Sequence, residues 1–151
     1  MTDGQIRGAI DDLLEQRKSP MQGCGSYFWV LGRFHGIDGR LAVGIAAAET
    51  SFATDPHMPQ ADLKGHNAWG YGHPPGAKHG HQFACWEDGI AAVTQWLAQE
   101  YVAKGFNTVA KIEPKWVGNP SPNWIKNVTA IMQQLGGDPN KLACSALAVS
   151  P

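Results

Sequence analysis

Residues 39–53 read GRLAVGIAAAETSFA, and this stretch decides the fold class of the chain. Between positions 41 and 54 the only charged side chain is that of Glu49. A helix that is apolar almost all round is normally buried in a protein core. The stretch therefore predicts a central buried helix over 39–53, with Glu49 on or beside the face that carries Ile45 and Phe52.

Helical periodicity recurs on both sides of this stretch. Apolar residues at helical spacing predict five further helices, over 5–17, 26–35, 86–104, 109–112 and 123–135. The expected N-caps are Asp3, Asp38, Thr108 and Ser121. We therefore expect a mainly α protein, and its 151 residues fit a single domain over 1–151.

Residues 54–83 interrupt the helices and are rich in Gly, Pro, His and Asn. A loop of this length in a compact domain is usually functional or contains a small hairpin. Within it, residues 67–72 read NAWGYG, which is compatible with a short strand and a turn. We expect a small β-hairpin or an irregular loop region beside the functional cleft.

Composition excludes several classes of protein. Charged residues make up 17% of the chain, against about 25% in an average protein, and the net charge is −1. This balance argues against a nucleic-acid binder, which needs a basic excess, and against intrinsic disorder. The sequence contains no apolar run of about 20 residues, so it predicts no membrane-spanning helix. The acidic N-terminus, with Asp3, Asp11 and Asp12, does not resemble a secretory signal peptide.

Glu49 is the first candidate for catalysis. A carboxyl group in an uncharged environment loses hydration, which raises its pKa. An acid with a raised pKa keeps its proton near neutral pH and can donate it to a leaving group. The alternative is a structural glutamate that caps a backbone donor or pairs with Arg33 or Arg40.

The motifs around Glu49 resemble a known superfamily. Residues 49–52 (ETSF) follow an Ala-rich helix, and NAWGY at 67–71 and FACWE at 83–87 come next. Tyr101, GFNT at 105–108, Ile112, Trp116 and Trp124 complete the pattern. Over residues 25–136 the chain resembles the lysozyme-like superfamily. It is most similar to bacterial cell-wall endo-β-N-acetylglucosaminidases.

The resemblance implies a function and a set of site residues. Glu49 matches the general acid of the family, which protonates the glycosidic oxygen between amino sugars. Asn67, Trp69 and Tyr71 would line the cleft, and Tyr101 would point into it. The implied substrate is peptidoglycan or another polymer that contains N-acetylglucosamine. No cofactor and no metal are expected, and we expect a monomer that is extracellular, bound to the cell wall or associated with a phage.

Two features depart from the family pattern. Ala53 stands in a stretch where such enzymes often have glycine. No second carboxylate is placed by a motif, although glycoside hydrolysis usually uses two. The candidates are Asp55, Asp62, Glu87 and Asp88. Some relatives use the acetamido group of the substrate instead, so the stereochemistry of the reaction stays open.

The six tryptophans are assigned by their surroundings in the sequence. Trp96 and Trp124 stand at helical spacing with other apolar residues, which predicts core positions. Trp69 lies in a Gly-rich loop without periodic apolar neighbours, which predicts contact with a sugar. Trp29 is expected to pack among aromatic residues. Trp86 and Trp116 are left open.

Three other functions compete with a hydrolase. A lytic transglycosylase uses the same acid but closes the sugar on itself instead of adding water. A lysozyme-like domain without activity would only bind glycan or serve a structural role. A metal-dependent hydrolase would use the histidines at 57, 66, 73, 79 and 81, although their spacing fits no familiar ligand pattern.

Overall fold

The computed structural model describes residues 1–72 and 79–145, and over these residues it is mainly helical. In chain order the α-helices are α1 (Asp3–Gln16), α2 (Gly25–Phe34), α3 (Arg40–Thr50), α4 (Gln60–Lys64), α5 (Trp86–Glu100), α6 (Val109–Val117) and α7 (Pro122–Gln134). A 3-10 helix, Val102–Lys104, follows α5. The predicted mainly α class is confirmed.

The central helix is α3, as the sequence predicts. Its residues Leu41, Ala42, Val43, Gly44, Ile45 and Ala46 are all buried. It packs mainly against α7, where Gly44 allows a close approach. A Cβ atom added at Gly44 would lie 3.0 Å from the carbonyl oxygen of Val128. Helix α2 lies between α1 and α5, and the buried apolar side chains join into one core cluster.

Several predicted boundaries and caps are wrong. The N-cap of α1 is Thr2, whose hydroxyl accepts a hydrogen bond from the backbone N–H of Gln5 at 3.1 Å, whereas Asp3 lies inside the first turn. The N-cap of α3 is Gly39. Asp38 instead accepts the backbone N–H of Arg40 at 3.0 Å. The predicted cap Thr108 is confirmed, and α6 extends to Val117.

No strand occurs in residues 1–72 and 79–145, which contain only an isolated antiparallel bridge between Ile37 and Ala143. Of the two expected alternatives, the β-hairpin is therefore absent from the described part of residues 54–83, and the irregular loop region is found. The short helix α4, which the sequence did not predict, and irregular backbone take its place. Across the same ranges, every helix is too short or too polar to span a lipid bilayer.

Candidate active site

A cavity of about 360 Å³ opens beside the C-terminal end of α3. This volume lies within the range of small-molecule sites, about 300–1,000 Å³. Its lining residues are Glu49, Trp69, Gly70, Tyr71, Gly72, Trp96, Tyr101, Lys115, Trp116 and Val117. Among these described residues Glu49 is the only acid and Lys115 the only base, so aromatic rings and backbone form most of the wall.

Glu49 stands at the last turn of α3, and two indole groups hold its carboxyl group. Oε1 accepts hydrogen bonds from Nε1 of Trp116 at 3.0 Å and from Nε1 of Trp124 at 2.9 Å. Solvent reaches the side chain through the open cavity, while the surrounding walls remove much of its hydration. This desolvation raises the pKa of Glu49, and the two indole bonds oppose the rise.

The two arginine pairings considered for a structural Glu49 are not formed, because both arginines have other partners. Arg33 forms an ion pair with Asp3 at 2.9 Å. Arg40 forms one with Asp38, also at 2.9 Å. The nearest polar partners of Glu49 are therefore the two indole N–H groups, which carry no charge.

Helix α3 stops just after Glu49 because the backbone turns left-handed. Ser51, Phe52 and Ala53 have φ values of 51°, 61° and 63°. Left-handed backbone costs a non-glycine residue roughly 1–2 kcal/mol, so the segment needs support. The Thr50 hydroxyl supplies it, since it donates to the carbonyl of Ala68 at 2.7 Å and accepts the N–H of Ala53 at 2.9 Å. The positive φ explains why glycine suits the position of Ala53.

Asn67 shapes the cavity wall but does not face the cavity, so its predicted role in lining the cleft is wrong. The residue is fully buried. Its Nδ2 donates to the carbonyl oxygens of Tyr71 at 3.1 Å and His81 at 2.9 Å, and its Oδ1 accepts the N–H of Trp69 at 3.3 Å. The side chain therefore ties residues 67–72 to the segment that precedes α5, in place of the strand ladder that a hairpin would provide.

Trp69 is also a structural residue, because only 1% of its surface is exposed. Its Nε1 donates to the carbonyl of Ala42 in α3 at 2.8 Å, and its ring packs edge-on against Phe28. It lines the cavity as predicted, but its buried ring cannot offer an open face to a sugar, so the predicted sugar contact is corrected. The absence of helical periodicity in a Gly-rich loop does not show whether a residue of that loop is buried.

The open aromatic surface comes from Tyr71, Trp96 and Trp116, while Tyr101 lines the cavity with only 2% of its surface exposed. The Trp96 ring centroid lies 5.1 Å from that of Tyr71, 5.4 Å from Tyr101 and 5.6 Å from Trp116. Trp96 is half-buried and lines the cavity, so its assignment to the core alone is corrected. Tyr71 and Tyr101 line the cavity at the predicted positions, and their contact with a sugar stays a prediction.

None of the candidate second carboxylates is among the described residues that line the cavity. Asp62 is buried, and its Oδ1 accepts the N–H of Gly80 at 2.9 Å, so it stabilises the loop. Asp55 accepts the N–H of His57 at 2.8 Å. Glu87 and Asp88 lie in the first turn of α5. The positions of these carboxylates therefore give no partner to Glu49 at the cavity.

The described histidines do not form a metal site. In residues 1–72 and 79–145 no group of three or more His, Cys, Asp or Glu side chains is placed to hold a metal ion. His66 bonds through Nδ1 to the carbonyl of Phe83 at 2.9 Å, and His81 packs against Tyr71. His73, which belonged to the proposed cluster, lies outside the described residues.

No family model matches this chain, and no curated protein matches it.

Sequence reasoning missed three contributors to this site. Trp124 was assigned to the core, and it is 6% exposed, but its indole N–H reaches Glu49. A buried indole N–H needs an acceptor, and that requirement was the available signal. Lys115 lies over the Tyr101 ring at 4.5 Å and donates to the carbonyl of Glu100. Glu113 is buried and accepts the N–H of Ser121, the residue that precedes α7, at 2.6 Å.

Proposed function

We propose that the chain is a glycoside hydrolase that cleaves β-1,4 bonds in the glycan strands of peptidoglycan, with Glu49 as the general acid. The observation that carries this proposal is the environment of Glu49. Its carboxyl group borders a cavity rich in aromatic rings, and desolvation raises its pKa. A protonated carboxyl group that borders an open cavity is the feature that protonation of a leaving oxygen requires.

The first step of the proposed reaction is proton transfer. Glu49 donates its proton to the glycosidic oxygen, the bond from that oxygen to the anomeric carbon breaks, and one glycan fragment leaves as an alcohol. Positive charge develops at the anomeric carbon, and the carboxylate left on Glu49 faces it from the side of the departing oxygen. General acid catalysis of this kind contributes about 10²–10⁴-fold to a rate.

Aromatic rings and phenol groups are suited to hold the sugar for this step. Flat rings pack against the apolar faces of sugar rings, and Tyr71, Trp96 and Trp116 line the cavity together. Burial raises the pKa of Tyr101 to about 12 and raises that of Tyr71 as well. Both phenols therefore keep their protons at neutral pH and can donate hydrogen bonds to sugar hydroxyl or acetamido groups.

A lytic transglycosylase is the second candidate, and the carboxylate count favours it. Glu49 is the only acid among the described residues that line the cavity, so a second carboxylate that activates water is not at hand. In a transglycosylase the C6 hydroxyl of the same sugar attacks the anomeric carbon and returns its proton to the Glu49 carboxylate. In a hydrolase with this site, the acetamido oxygen of the substrate would assist and water would complete the reaction.

Purified bacterial cell walls, incubated with the wild type, Glu49→Gln and Glu15→Gln, test this proposal. Glu15 is an exposed residue of α1 that does not line the cavity, so Glu15→Gln is the matched control. We expect Glu49→Gln to lose about 10²–10⁴-fold of the sugar release while the control keeps it. Mass spectrometry then separates the candidates, since reducing ends indicate hydrolysis and anhydro ends indicate the transglycosylase.

Two results would reject the proposed role of Glu49. Undiminished release by Glu49→Gln would exclude it as the acid. Binding to walls without any release by the wild type would identify a glycan-binding domain instead. A loss of activity on addition of a chelator would favour the metal-dependent alternative. If activity is found, we place the chain at the bacterial cell wall, outside the cell or on a phage particle.

A further inference from the structure

Two tryptophans from different helices donate to the same oxygen atom of Glu49. Trp116 lies near the end of α6 and Trp124 lies in the first turn of α7. Their Nε1 atoms lie 3.0 Å and 2.9 Å from Oε1. No hydrogen bond from another described residue to Oε2 accompanies them. The two oxygens of the carboxyl group therefore have different surroundings.

An indole N–H can donate a hydrogen bond but cannot accept one. Two such donors occupy the lone pairs of Oε1 and leave none there for a carboxyl proton. They bond to the carbonyl oxygen of the neutral acid and more strongly to a carboxylate oxygen, so they lower the pKa of Glu49. We propose that Trp116 and Trp124 are positioning residues that fix the rotation of the Glu49 carboxyl group and confine its acidic proton to Oε2. This inference rests on the proposed role of Glu49 as the acid.

The surrounding structure holds both indoles in place. Trp124 is buried, and the ring of Trp116 lies 5.6 Å from that of Trp96 and 5.8 Å from that of Tyr101. Glu113 of α6 accepts the backbone N–H of Ser121, which joins the two helices at the turn between them. Donors that are fixed before the reaction stabilise the developing charge without reorganisation. The Glu49 carboxyl group can then lose its proton without rotating.

Uniform ¹⁵N labelling and a pH titration of the indole N–H resonances test the arrangement without any substrate. We expect the Trp116 and Trp124 resonances to shift with one common midpoint, equal to that of the Glu49 side-chain carbon. The shifts should disappear in Glu49→Gln. The indole of Trp69 is the internal control, because it bonds to a backbone carbonyl and should not follow this titration.

Indole resonances of Trp116 and Trp124 that ignore the titration of Glu49 would overturn the proposal. Because this measurement needs no turnover, it can fail while the hydrolase proposal stands, or succeed if the protein only binds glycan. A spectrum of Trp124→Phe, compared with that of the wild type, shows whether the variant is folded. Trp116→Phe supplies a second, independent removal of one donor.

Activity gives a second readout. The loss of one charge-assisted hydrogen bond should lower kcat by roughly 10-fold in Trp124→Phe, while KM changes little because this residue is not among those lining the cavity. The basic limb of the pH–rate profile should move to higher pH, since one donor that lowers the pKa of Glu49 is gone. A large rise in KM with an unchanged pH profile would indicate that the indole only contacts sugar, and it would contradict a positioning role.

Discussion

Two regions of the molecule flank Glu49, and their buried polar side chains bond to different kinds of partner. In the loop over residues 67–72, the polar groups of Asn67 and Trp69 bond to backbone atoms of the protein itself. In the corner formed by the end of α6 and the start of α7, the indole groups of Trp116 and Trp124 bond to the Glu49 carboxyl group. The loop therefore forms part of the cavity wall, whereas the corner contacts the carboxyl group of Glu49.

The comparison shows that the partner of a polar group, and not its residue type, determines its role. Trp69 and Trp124 are both almost fully buried, and each donates one indole hydrogen bond of 2.8–2.9 Å. One bond ends on the carbonyl of Ala42 and stabilises the fold. The other ends on the carboxyl group of Glu49 and affects its protonation. Substitutions in the loop should therefore change stability, and substitutions in the corner should change the pKa of the acid.

The largest stability effect is expected for Asn67→Ala. The substitution leaves the buried backbone N–H of Trp69 and the carbonyl oxygen of His81 without their side-chain partner, while the carbonyl oxygen of Tyr71 keeps the backbone N–H of His81. We expect unfolding in urea to show a loss of about 2–4 kcal/mol, since each unsatisfied buried group costs about 1–3 kcal/mol. Asn123→Ala, on the exposed surface of α7, is the matched control and should change stability by about 0.5 kcal/mol or less. Equal effects of the two variants would show that the loop is not held by Asn67.

A smaller loss is expected for Trp69→Phe. The variant removes the bond to Ala42 and part of a buried ring, which should cost about 1–3 kcal/mol. Trp29→Phe is the matched comparison, because the Nε1 of Trp29 is buried without a partner among the described residues, so no hydrogen bond is lost. Trp69→Phe should leave the titration of Glu49 unchanged. If Trp69→Phe shifted that titration as much as Trp124→Phe does, the claim that only the corner affects the pKa of Glu49 would be contradicted.

The smallest effect concerns the left-handed turn that ends α3. Ser51 is exposed and has a φ of 51°, so Ser51→Gly should relieve strain and stabilise the protein by about 0.5–1 kcal/mol in thermal unfolding. Lys18→Gly, with a φ of 54° outside the site, should give a similar gain. A loss of stability in Ser51→Gly alone would mean that the serine side chain supports the turn.

Much of the fold was predictable from apolar spacing. The central helix and the mainly α class follow from apolar residues at helical spacing. The one charge in the apolar stretch singled out Glu49, which lines the cavity. The left-handed turn after Thr50 was not predictable, because no glycine stands at positions 51–53 and the support comes from Ala68 and Ser19, far away in the sequence. The predicted helix over 39–53 therefore ran three residues too far.

The site was only partly predictable for the same reason. The bonds from Trp116 and Trp124 to Glu49 span 67 and 75 residues, so no local spacing encodes them. Helical spacing correctly placed Trp124 in the core, but a side chain can be buried and still reach a functional group with its polar atom. The Gly-rich sequence around Asn67 and Trp69 predicted contact with a ligand. Both side chains are instead buried, and they bond to residue 81 and to α3.

The pH dependence of wall degradation tests the central claim most directly. Because burial raises the pKa of Glu49 and the acid works only while protonated, initial rates should be highest below that pKa and should fall as the pH rises through it. The midpoint of this decline should lie above the ordinary glutamate value of about 4.3 and should coincide with the NMR titration of Glu49. A rate that shows no such decline, or a midpoint that differs from the Glu49 titration, would contradict the assignment of Glu49 as the proton donor.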